Sequence, residues 1–118
     1  MTDKAAPVPI KLKFAEVTLL LNVAEYGLKS AINEDRKAAS PFAKPVYGLL
    51  FGKHRKAEYE PLLNTLRAGV TESKAYGSCE ITLTWQQIET LSTDYSRYQQ
   101  AFTVPPENQG IIGKITRA

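Results

Sequence analysis

The sequence predicts an α+β domain, mainly α-helical. Three amphipathic helices, near residues 14–32, 57–68 and 84–102, pack with two or three short strands near 10–13, 80–84 and 111–116. Three observations predict it. Over two long stretches apolar residues recur at steps of three and four, the spacing of one face of an α-helix. Each stretch is preceded by a short apolar–polar alternation, the period of a half-buried strand. The chain has 118 residues, 43% hydrophobic and 23% charged, which suits a single core.

Residues 1–9 are small, polar and proline-containing, and are expected to form a loose arm. Residues 10–118 are expected to form a single domain. Ile10-Lys11-Leu12-Lys13-Phe14 alternates and suits a short strand. From Phe14 the period changes: Phe14, Val17, Leu21, Ala24, Leu28 and Ala31 form one helical stripe. Leu19, Leu20 and Val23 widen it, so this helix is either central in the domain or covered by a second chain. It should fade near Asn33-Glu34-Asp35. Residues 33–46 contain Pro41 and Pro45, each of which disfavours helix at the residue before it, so a mobile connection is expected there.

Residues 47–52 are apolar and glycine-containing, and too short for periodicity to separate a strand from a helical turn. The second helix, near 57–68, turns Tyr59, Leu62, Leu63 and Leu66 inward. Pro61 then has to lie in its first turn, where backbone N–H groups have no helical partner, and Gly69 is a suitable stop. Residues 71–78 read as a polar connection. Glu80 to Thr84 alternates and is β-branched, which predicts a strand. Thr84 and Gln87 then match a capping box, and Trp85, Ile88, Leu91, Tyr95, Tyr98 and Phe102 follow on one stripe. Pro105-Pro106 closes this third helix. The tail, near 111–116, suits a last strand.

One pattern recurs. Ile10 to Val17 and Ile81 to Ile88 share an alternating lead-in, an aromatic residue, and a helix whose next apolar residue comes three later. A duplicated strand–helix unit would explain this. The similarity is also what any strand-to-helix transition tends to show, and the identities are few.

The chemistry carried by the sequence is sparse. One histidine, His54, and one cysteine, Cys79, stand in no local signature of a nucleophile–base pair. Together they fall short of a zinc ligand set, and a single cysteine excludes an intrachain disulfide. Gly48 to Lys53 has three residues between its glycines, and His54 follows the lysine. A phosphate-binding loop needs four residues there and a Ser or Thr after the lysine. No catalytic residue, metal ligand or cofactor is therefore assigned. The first ten residues show no basic stretch followed by an apolar core, and no wholly apolar run exceeds the three residues of Leu19-Leu20-Leu21. The expectation is a cytoplasmic chain without a membrane segment.

Two features bear on binding. Lys53-His54-Arg55-Lys56, with Lys44 upstream, is a basic run with aromatic residues around it. Residues 1–56 carry ten Lys/Arg against five Asp/Glu, whereas residues 57–118 carry five against seven. Such a run engages phosphates or simply forms a solvated loop, and the absence of a nucleic-acid-binding module favours the loop. Tyr47, Tyr59, Tyr95 and Tyr98 are candidate interface aromatics, a residue class enriched at binding hot spots. The reading that follows is a small non-enzymatic protein-interaction module, such as a regulator, inhibitor or accessory subunit. Its partner is another protein or a second copy in a homodimer. The alternative is a nucleic-acid-binding protein using Lys44 and Lys53, His54, Arg55 and Lys56.

Overall fold

The computed structural model describes residues 7–38 and 44–116; the side chains at 36, 38, 44–52 and 107 are outside the described set. Strand β1 (Val8–Lys13) leads directly into helix α1 (Phe14–Ala38). Helix α2 (Lys44–Tyr76), strand β2 (Ser78–Leu83), helix α3 (Trp85–Ala101), a 3-10 turn (Pro106–Asn108) and helix α4 (Ile111–Thr116) complete the chain. The mainly helical α+β class expected from the sequence is the one observed.

The strands pair antiparallel, from Val8 opposite Leu83 to Lys13 opposite Ser78. Their alternation is clean. Ile10, Leu12, Cys79, Ile81 and Leu83 are buried, and Pro9, Lys11, Lys13, Glu80 and Thr82 are exposed. One sheet face therefore meets the helices and the other meets water. Pro9, which has no N–H to donate, sits opposite Thr82 on a strand that pairs on one side only among the described residues, the place a sheet tolerates proline. Ile10 pairs with Ile81, and these are the equivalent positions of the sequence repeat.

The transitions into the helices are capped differently. The Lys13 backbone N–H donates to Glu16 Oε1 at 2.9 Å, and Lys114 of α4 donates to the same carboxylate at 2.8 Å. Burial alone would raise the Glu16 carboxyl, but these two donors hold it below its usual value. At α3 the capping box is complete. The Gln87 N–H donates to Thr84 Oγ1 at 3.1 Å, and the Thr84 N–H to Gln87 Oε1 at 2.9 Å.

Helix α1 is central, packed on both α2 and α3, and its more extensive partner is α2. The buried residues include Val17, Leu20, Val23 and Ala24, while Phe14 is 39% exposed. The inward face is thus rotated from the expected stripe toward Leu20 and Val23. The helix also runs past Asn33-Glu34-Asp35 to Ala38. The reason is tertiary: Glu34 and Asp35 are paired with arginines on α3 and α2.

Three further expectations are corrected. The strand begins at Val8, inside the expected loose arm, and residues 1–6 lie outside the described set. Of the expected connection at 33–46, residues 33–38 continue α1 and 44–46 begin α2, and 39–43 lie outside the described set. The second helix runs from Lys44 to Tyr76, so it takes in the apolar run 47–52, the basic run and the polar stretch after Gly69. Pro61 lies in its interior. Proline there removes one helical hydrogen bond, and an isolated helix loses about 3 kcal/mol by it. Packing of Leu62, Leu63 and Leu66 into the core outweighs this, and Pro61 itself faces water. Gly69 is buried where α2 crosses the sheet, and is not a stop. A Cβ there would stand 2.8 Å from Ile81 Cγ2 and 3.0 Å from Val17 Cγ2. The helix ends at Gly77, whose φ of 84° is the left-handed conformation that favours glycine.

Among the described residues the sheet has two strands. The expected third, 111–116, is α4. Its Ile111 and Ile115 lie one helical turn apart and are both buried, a spacing that one face of a strand would also give.

Candidate binding groove between the three long helices

The richest polar constellation lies where α1, α2 and α3 meet. Leu91, Asp94 and Tyr98 follow at steps of three and four, so Asp94 falls on the inward face of α3. It is 4% exposed. Gly27 of α1 sits directly over it: a Cβ at Gly27 would collide with the Asp94 carboxylate. From α2 the Tyr59 hydroxyl donates to Asp94 Oδ2 at 2.8 Å. Burial pushes the Asp94 carboxyl up from its ordinary value, and the Tyr59 hydrogen bond and nearby Arg97 only partly oppose it. Burial, then the bond to Asp94, likewise raises the Tyr59 hydroxyl.

Asp94 opens into a groove of about 400 Å³ lined by Glu34, Arg55, Tyr59, Glu89, Thr90 and Arg97. A neighbouring depression of about 490 Å³ shares Arg55, Tyr59, Gln86 and Thr90 and extends it along α2. Both arginines on its walls are committed to other carboxylates. Arg55 Nε lies 2.7 Å from Asp35 Oδ2, and Arg55 Nη2 donates to Asp35 Oδ1 at 3.2 Å. Arg55 Nη1 also reaches Glu58 at 3.4 Å, and Arg97 Nη1 stands 3.4 Å from Glu34. The Arg55 hydrogen bonds hold the Asp35 carboxyl below its ordinary value, and Asp35 raises the Arg55 guanidinium in turn.

A second surface lies on the other flank of the α1–α3 seam. Tyr26 meets Tyr98 edge-to-face at a centroid distance of 5.9 Å and Phe102 at 5.3 Å. Tyr98 and Phe102 stack at 4.7 Å. Phe102, the residue that caps α3, is 49% exposed. Shallow depressions of about 410 and 360 Å³ flank the cluster, one along Tyr26, Lys29 and Asn33, the other along Phe102, Val104 and Gln109.

The sequence-derived candidates fall in several places. The side chains of Lys44 and Tyr47 lie outside the described set. Lys53, His54, Arg55 and Lys56 are helical rather than in a loop, so successive side chains turn about 100° and do not form one patch. His54 Nε2 is 2.9 Å from Glu58, and Arg55 is bound as described. Lys56 is on another side of α2, beside Glu60, Asn64 and Arg67. Tyr59 belongs to the groove and Tyr98 to the aromatic cluster. Tyr95 is a core residue, 5% exposed, and not an interface aromatic. Its position directly in line with Ile88 and Leu91 explains why.

Asp94 and Gly27 were not among the sequence candidates, nor was Tyr26. The signal for the first two was an acid and a glycine, each on the inward face of a long helix. Among the described residues no group of three or more His, Cys, Asp or Glu is arranged to hold a metal ion, and no helix is long and apolar enough to cross a membrane. No protein family, curated protein or solved structure matches the chain.

Proposed function

We propose that this chain is a small protein-interaction module, non-enzymatic, that works as a homodimer formed through Tyr26, Tyr98 and Phe102. The observation that carries the reading is the half-exposed Phe102, held in place by two ring contacts. Large aromatics fixed before binding lose little conformational freedom on association, which is why they serve as interface anchors. A second copy suits the surface because the depression beside Phe102 is lined, among the described residues, by Gln99, Gln100, Ala101, Thr103, Val104 and Gln109, with no charged side chain among them. Two such surfaces meet across a twofold axis without like-charge repulsion, and twofold dimers are the commonest oligomers.

Sedimentation velocity over a micromolar concentration series tests it. The expected result is a dimer for the native chain and a monomer for Phe102→Ser. A native chain that stays monomeric removes the homodimer.

A further inference from the structure

The groove over Asp94 stands apart from the aromatic surface and from the dimer reading. We propose that it binds a cationic head group, an ammonium or guanidinium, which pairs with Asp94 beside the Tyr59 hydroxyl. Four observations carry this. Asp94 is a nearly fully buried carboxylate that lines an open groove. Among the described residues the hydrogen bond it accepts comes from a neutral group, the Tyr59 hydroxyl, on Oδ2. The two guanidiniums on the walls are aligned on Asp35 and Glu34, not on Asp94. Room for the carboxylate is made by Gly27, which has no side chain to displace it.

The charge around the groove has the matching sign. Glu34 and Asp35 on α1, Glu58 on α2, and Glu89 and Asp94 on α3 face Arg55 and Arg97, with His54 on Glu58 at the outer end. Among the described residues acidic groups outnumber basic ones there, so an anion entering would meet net repulsion from them. Tyr59 and Arg97 offset the desolvation of Asp94 only in part, and a cation paired directly with it offsets the rest. Thr90 and Thr93 on α3 and Gln86 at its start supply neutral hydrogen-bonding groups along the walls. The groove holds one compact head group and the start of its stem. The same chemistry is offered by a free polyamine or by a Lys or Arg side chain of a partner protein.

The test is an NMR titration of the isotopically labelled chain at neutral pH and low salt. The probes are spermidine, N-acetyl-arginine methylamide, its uncharged citrulline counterpart, and inorganic phosphate. Saturable shifts at Tyr59, Thr90 and Asp94 are expected with a cationic probe. Binding at least about tenfold weaker is expected for the citrulline compound and for Asp94→Asn. Tighter binding of spermidine identifies a small-molecule source, and tighter binding of the arginine compound identifies a partner side chain; either supports the site. Binding should strengthen as pH rises through the Asp94 titration. If Asp94→Asn does not fold, the contrast between arginine and citrulline on the native chain decides alone. Absence of saturation by both cations at millimolar concentration, equal binding of the citrulline compound, or saturation of the same residues by phosphate would overturn the proposal.

Discussion

The two flanks of the α1–α3 seam are opposites in what they leave unsatisfied. On one flank Asp94 is buried with a single hydroxyl donor, and the nearby arginines are held by Glu34 and Asp35. On the other flank Phe102 keeps half of its surface in water although its ring is stacked on Tyr98. The first flank has polar chemistry in short supply of a counter-charge. The second has apolar surface in short supply of a cover. A domain that only had to fold would gain from an apolar residue at 94 and a polar one at 102, since burying a charge and exposing an aromatic both work against stability.

The largest expected effect is on the buried flank. Gly27→Ala drives a methyl group into the Asp94 carboxylate, so the helices must separate or the aspartate must leave. A loss of about 2–4 kcal/mol is expected, read from denaturant unfolding. If Gly27→Ala is tolerated, the close seam is not what holds Asp94. Next comes Tyr59→Phe, which removes the hydroxyl that donates to Asp94 and should cost about 1–2 kcal/mol. It should also push the Asp94 carboxyl higher, as read by NMR titration.

The pH dependence separates Asp94 from the other acids. Asp94 is raised in the folded chain, above an ordinary value of 3.8. Its contribution to stability is therefore full below the unfolded value and is lost as pH rises through the folded one. Asp35 and Glu16 are lowered, so their contributions are present above their unfolded values and lost as pH falls. Thermal melts across the acidic range should thus show a steeper acid loss for Asp94→Asn than for the native chain. Parallel curves would mean that Asp94 is not perturbed by its site.

The smallest effects sharpen the comparison from the outer side. Phe102→Ser should change monomer stability by less than about 1 kcal/mol, since the ring is half in water, while abolishing self-association. Tyr95→Phe removes a buried hydroxyl that has no partner among the described residues. Its melting temperature should be unchanged or slightly higher, because an unsatisfied buried hydroxyl is itself a cost.

Much of the framework was readable from residue patterns, for stated reasons. Thr84 and Gln87 announced the start of α3 because a capping box is a local interaction, complete within four residues. The strands were readable because β1 and β2 each have one wet face. Helix α2 was readable only at 57–68. Pro61 and its glycines argue locally against helix, and the core burial of Leu62, Leu63 and Leu66 that outweighs them, like the close fit of Gly69 against Val17 and Ile81, depends on residues far away in the chain. The tail at 111–116 was misassigned because six residues admit both periods. The basic run was visible as composition, but its pairing of Arg55 with Asp35 depends on how α1 and α2 cross. Asp94 was hidden for the same reason: one acid on an inward helical face has meaning only once Gly27 and Tyr59 are placed against it.

The central claim is that Tyr26, Tyr98 and Phe102 form the surface through which the chain associates. A dilution series of amide and aromatic NMR spectra tests it most directly. Concentration-dependent shifts should cluster on Tyr26, Tyr98, Phe102 and the adjoining Gln99 and Gln109. Spectra that do not change with concentration, or changes that cluster at Lys53 to Lys56 instead, would contradict it.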